Sequence, residues 1–135
     1  MKTKRKILGF VLLTALVLGG AVNIYATAGV LNYRDPKGYG IMQCTSQAYS
    51  TGKGNGTTKF STSDYRYYKA FVRVMIYKGN GYIDVQEHKE ANAITGVSLT
   101  VKPTKKSNAK KLVTAHRVTK GGSSYIPTQY INIKY

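Results

Sequence analysis

Beyond residue 29 the apolar residues tend to recur at every second position, and no long stretch sets them at i, i+3, i+4 and i+7. A period of two describes a strand with one buried face, and the missing helical stripe argues against a bundle. Lys69–Tyr77 is the sharpest case: Ala70, Val72, Val74 and Ile76 share a purely apolar face, and Lys69, Phe71, Arg73, Met75 and Tyr77 a mixed one. A mixed second face fits a central strand partly covered on its outer side. Lys78-Gly79-Asn80-Gly81 follows. Asn-Gly is the strongest short hairpin signal, because both central residues of a type I′ turn need positive φ. Tyr82–Glu87 is therefore expected to return antiparallel with Ile76 opposite Val85. A three-residue loop that includes Gly79 is the alternative.

Other strands follow the same logic. Gly40–Ser50 sets Met42, Cys44 and Ala48 on one face, and Gly96–Lys102 does so with Val97, Leu99 and Val101. Pro103, which has no N–H to donate, stops that strand. Thr104–Lys110 then reads as the basic connection of a second hairpin, with Lys111–Val118 as its return strand. The facing of Lys111–Val118 is ambiguous, since Leu112 and Val118 share a parity with His116, and Val113 and Ala115 with Arg117. Gly121-Gly122 makes a turn into a last strand, Tyr125–Tyr135, where Pro127 marks an edge or a bend. Thr45–Asp64 is low in complexity, so Ser50–Ser63 is expected to be a long mobile loop with Gly52, Gly54 and Gly56 at its tip. Glu87–Ile94 is expected to form one helical turn. Short strands with regular turn signals predict an all-β fold, a small antiparallel β-sandwich or barrel comparable in size to an immunoglobulin domain.

The N-terminus reads differently. Lys2, Lys4, Arg5 and Lys6 precede an apolar run, Ile7–Val22, and Ala26-Thr27-Ala28-Gly29 follows. Basic, apolar and small-x-small segments in that order describe a secretory signal peptide over residues 1–28, cleaved after Ala28. The remainder, 29–135, is then a single secreted domain. An uncleaved membrane anchor is the rival, but the run falls short of the ~20 residues a spanning helix needs. Cleavage would remove four of the 21 basic residues and none of the 5 acidic ones, leaving 17 against 5. Export therefore does not account for the charge.

Catalytic chemistry finds little material. Cys44 is the single cysteine, and a nucleophile would need His88 or His116 as a base in space. A buried apolar role is the simpler reading. Asp84, Glu87, His88 and Glu90 cluster in sequence without metal-ligand spacing, so no metal and no cofactor is expected. Gly52-Lys53-Gly54-Asn55-Gly56 lacks phosphate-loop spacing, and no G-x-S-x-G occurs.

The charge is more informative. No acidic residue follows Glu90, yet Lys102, Lys105, Lys106, Lys110, Lys111, Arg117, Lys120 and Lys134 do. Lys102, Lys105, Lys106, Lys110, Lys111 and Arg117 are the candidate anion-binding residues, because concentrated charge on a connection draws anionic surfaces. The competing reading is that these lysines merely solubilise. Tyr65-Arg66-Tyr67-Tyr68-Lys69 interleaves rings and cations, making Tyr65, Tyr67 and Tyr68 candidate aromatic contacts. The chain is thus expected to be a secreted cationic non-catalytic binding protein. It would act at a cell envelope on an anionic polymer, an acidic glycan or an anionic lipid surface. A protein partner stays open, and intracellular nucleic acid is not expected. The alternatives are a secreted antibacterial, bacteriocin-like toxin and a small secreted hydrolase.

Overall fold

The computed structural model describes residues 15–16, 21–24, 28–36, 40–62 and 67–135. The expected leader therefore lies largely outside the described residues, as does Tyr65. Eight strands build the fold: β1 Ala28–Arg34, β2 Gly40–Ala48, β3 Gly54–Thr62, β4 Tyr68–Tyr77, β5 Ile83–Asn92, β6 Val97–Val101, β7 Lys111–Lys120 and β8 Ser123–Lys134. They form two four-stranded antiparallel sheets packed as a sandwich, ordered β1-β2-β3-β6 and β8-β7-β4-β5, with no closed barrel. Two short N-terminal segments, Ala15–Leu16 and Ala21–Ile24, pair in parallel with β1 and β8.

The alternating faces behave as their sequences imply. Ala70, Val72, Val74 and Ile76 lie in the core, and β4 is central, flanked by β5 and β7. On its outer face Met75 packs with Val113 and Ala115 of β7 and with half-buried Tyr77 in a second, smaller cluster. That cluster resolves the ambiguity of β7: its Leu112/Val118 face enters the main core, and its Val113/Ala115 face is covered by side chains of its own sheet.

The β4–β5 hairpin keeps the expected Ile76–Val85 pairing by another route. Lys78 N donates to Tyr82 O, Gly81 N donates to Lys78 O, and Gly81 holds φ +83°. Gly79–Gly81 is thus a three-residue loop closed by a glycine bulge, not a type I′ Asn80-Gly81 turn. A second bulge beside Tyr77–Ile83 restores the register at Val85 and sets Asp84 out of the ladder. Gly121 and Gly122 both have positive φ, +57° and +83°, and they form the two-residue connection of the β7–β8 hairpin.

Three expectations are overturned. Ser50–Ser63 is not a long loop: Gly54–Thr62 is β3, paired with β2 along its whole length, which leaves only the tight Tyr49–Lys53 turn. Its core-facing residues include Gly54, Gly56 and Thr58, polar by composition yet buried. A Cβ at Gly54 would sit 2.4 Å from Leu112 Cδ1, and one at Gly56 would sit 2.8 Å from Val72 Cγ2. These glycines are the close-approach points of the two sheets. Glu87–Ile94 holds no helical turn, because residues through Asn92 belong to edge strand β5. Finally, β6 and β7 are not a hairpin. β6 pairs with β3 in the first sheet and β7 with β4 and β8 in the second, so the segment between them crosses the end of the sandwich.

Candidate functional site

That crossing segment is tied down by one carboxylate. Asp84, set out by the bulge, accepts from Thr104 N at 2.9 Å, Thr104 Oγ1 at 2.6 Å and Asn108 Nδ2 at 3.1 Å. These bonds hold its acidity stronger than that of an ordinary aspartate, the Thr104 side chain contributing most. A single 3-10 turn, Lys106–Asn108, follows. No acidic residue follows Glu90 in the sequence, but the fold brings an earlier one to the lysines: Asp84 organises the backbone that carries them, and Lys78 Nζ lies 3.9 Å from it.

Three more chain segments meet there. The Tyr49–Lys53 turn packs on the crossing, since a Cβ at Gly52 would touch Pro103, Ala109 and Lys106. The C-terminus joins through Tyr135 N to Lys110 O at 3.2 Å and Tyr135 Oη to Lys53 O at 3.1 Å. Burial of its ring raises the Tyr135 hydroxyl to about 12, so it stays a donor at neutral pH. Lys110 N donates to Tyr77 O, which brings the end of β4 to the same place. The exposed side chains of Lys102, Lys105, Lys106, Lys110 and Lys111 thus share one end of the sandwich with Lys53, Lys78 and Lys134. Lys111 Nζ stands 4.7 Å over the Tyr77 ring.

The other candidates lie elsewhere. Arg117 is half-buried on the outer face of the second sheet, its guanidinium 4.2 Å over the Phe71 ring, where Arg73 also approaches and His88 stacks. Tyr67 is exposed at the opposite end, with φ +68°. Tyr68 is not a surface contact: it is buried against Phe60 and Tyr125, with ring centroids 5.2 and 5.0 Å away. Tyr67 sits in the turn before β4 at positive φ and is exposed, while Tyr68 opens the strand facing the core, so the two do not make a common platform.

Of the residues a thiol mechanism would draw on, Cys44 and His116 are interior, whereas His88 lies exposed on the outer face of the second sheet, stacked on Phe71. Cys44 is fully buried, and desolvation pushes its thiol well above the usual range. His116 is also fully buried and is bonded on both ring nitrogens, to Thr58 Oγ1 and Thr114 Oγ1 at 2.7 Å each. Thr58 Oγ1 donates its hydrogen to Phe71 O at 2.9 Å. It must then accept from His116 Nδ1–H, and Nε2 must accept from Thr114. The imidazole is neutral, and burial lowers its pKa to about 3. Thr58 belongs to one sheet and His116, Thr114 and Phe71 to the other, so this chain of bonds clamps the sandwich. The sequence cluster Asp84, Glu87, His88 and Glu90 also disperses: His88 and Glu90 pair with Arg73 and Phe71 along β5, while Asp84 turns to the crossing.

No protein-family model, curated protein or solved structure matches this chain.

Proposed function

We propose that this chain is an exported, non-catalytic protein that binds an anionic polymer of a cell envelope through the basic end of its sandwich. The observation that carries the reading is the convergence of Lys53, Lys78, Lys102, Lys105, Lys106, Lys110, Lys111 and Lys134 at one end, with Asp84 engaged in holding the crossing in shape. Cations mounted on a fixed backbone lose less freedom on binding than cations on a mobile loop. Their summed field reaches about one Debye length, ~8 Å at physiological salt. A polymer with spaced negative charges engages several of them at once. Cleavage after Ala28 would keep Leu31 and Tyr33 of β1 in the core and would remove the two short segments that pair beside β1 and β8.

The test uses the chain from Gly29 onward and a purified envelope polyanion, a teichoic-acid-type polyphosphodiester, in co-sedimentation across a salt series. Binding is expected to weaken steeply with salt, since counterions are released on association. Lys105→Gln, Lys106→Gln and Lys110→Gln together are expected to weaken binding at least tenfold and to flatten the salt slope, with the thermal midpoint unchanged. Equal binding by the triple variant at every salt concentration would show that the lysines only solubilise.

A further inference from the structure

The outer face of the first sheet carries a depression of about 550 Å³ at the end away from the basic crossing. Its floor is two rungs of cross-strand neighbours: Asn32, Gln43 and Lys59 in one, and Arg34, Ile41 and Ser61 in the next. Rungs of three strands span ~10 Å and lie ~7 Å apart, the footprint of a sugar ring with its substituents. One wall is Ile94, exposed on the β5–β6 turn. That turn is held in place. Ala93 is buried and its N–H donates to Tyr68 O, Gly96 N donates to Asn92 O, and Thr95 Oγ1 donates to Asn92 O at 3.0 Å. Among the described residues no acidic side chain lines the depression, and neither Arg34 nor Lys59 is in an ion pair. Asp35, next to Arg34 in sequence, points inward and takes the Tyr125 hydroxyl at 2.5 Å.

We infer that this depression binds a carboxylate-bearing sugar, a hexuronic acid unit of an acidic glycan. Each side chain of the two rungs, and Ile94, has a complement on such a unit. The planar Arg34 fork takes a carboxylate through two parallel bonds, and Lys59 adds a point charge on the neighbouring rung. Asn32, Gln43 and Ser61 offer both donors and acceptors, which suit hydroxyl groups. Ile41 and Ile94 present apolar surface to the C–H face of a ring. A bare inorganic anion would leave the amides and the isoleucines without partners. The volume lies within the ~300–1,000 Å³ of ordinary ligand sites. The proposal does not depend on the basic end, which lies at the far end of the strands.

The experiment titrates the chain from Gly29 onward with a trigalacturonate, followed by amide chemical shifts and calorimetry. A neutral galactose trimer and inorganic phosphate are the comparison ligands. Saturable trigalacturonate binding is expected, with the largest shifts at Asn32, Gln43, Lys59 and Ile94, and at least tenfold weaker binding of the neutral trimer. Arg34→Gln and, separately, Ile94→Ala are each expected to weaken it at least fivefold with the thermal midpoint unchanged. The triple lysine variant of the basic end should bind trigalacturonate as the parent does. No saturation by 10 mM (on the order of the weakest single-site affinities) would overturn the proposal. So would equal binding of phosphate or full retention in both Arg34→Gln and Ile94→Ala. Loss of polymer binding in the triple lysine variant, with trigalacturonate binding intact, separates the two sites.

Discussion

His116 shows how one side chain can join two sheets and still stay silent chemically. It is a base by type, but both ring nitrogens are committed to hydrogen bonds and burial disfavours the charged imidazolium. In the unfolded chain it takes a proton near its ordinary value of 6.5, and in the fold only near 3. The unfolded state therefore binds more protons between those values, so stability falls as pH drops below about 6.5 and goes on falling towards 3. Denaturant midpoints between about pH 6.5 and 5, above the ordinary carboxylate range, should decline in the parent and stay flatter in His116→Gln. His116→Ala is expected to cost about 2–4 kcal/mol, because it opens a cavity and strands Thr58 and Thr114. Cys44 makes a second case. Thiol reagents should leave the native protein unlabelled and react at once after denaturation, since burial keeps the sulfur protonated and out of reach. Rapid native labelling would place the sulfur at the surface.

At the scale of strands and turns, glycine has two separate uses that substitution can tell apart. Gly81 faces open space, so Gly81→Val meets only backbone strain at positive φ and should cost about 1–2 kcal/mol. Gly56 faces Val72, Val74 and Thr114 across the core. Gly56→Val should cost more than Gly81→Val, at or above the ~1–3 kcal/mol of an overpacked core. Urea midpoints of the two variants decide this, and a tolerated Gly56→Val would return Ser50–Ser63 to a loop. The same residues mark what the sequence made legible. The faces of β4 and the Ile76–Val85 match were readable because apolar parity is a local signal. β3 was not, because its core face carries glycine and threonine, whose burial depends on Leu112 and Val72 from strands far away in sequence. The false β6–β7 hairpin has a related cause: alternation identifies a strand but does not say which sheet it joins.

Across the molecule, function reads as a question of which loops share an end. Lys102 to Lys111 could be grouped from the sequence alone, being neighbours in it. Lys53, Lys78 and Lys134 could not, because only the strand directions bring their segments to the same end. The depression at Arg34 and Lys59 was equally hidden, since its two rungs draw on three strands and a distant turn. Asp84 is the testable link between fold and basic end. Asp84→Ala should leave the sandwich folded while hydrogen exchange quickens across residues 103–110, and polymer binding should weaken although no lysine has changed. Unchanged exchange there would mean that the crossing holds its shape without the carboxylate.

The gradation of side chains along β3 has a consequence for how this protein can change. Gly54 and Gly56 near the basic end give way to Phe60, which packs with Tyr68 and Tyr125 near the other. The contribution of β3 to the core is therefore thin at one end, where Leu112 and Val72 of the facing sheet fill the space over the two glycines, and thick at the other, where the rings gather. In a pool of random variants selected only for folding, the thin end should reject nearly every substituent larger than hydrogen. At the thick end Phe60 and Tyr68 should accept exchanges of one large apolar group for another, while Gly40 should not, since a Cβ there would lie 2.4 Å from Ser61 O. New binding properties would then arise in the loops above the thin end far more readily than in the strands beneath it.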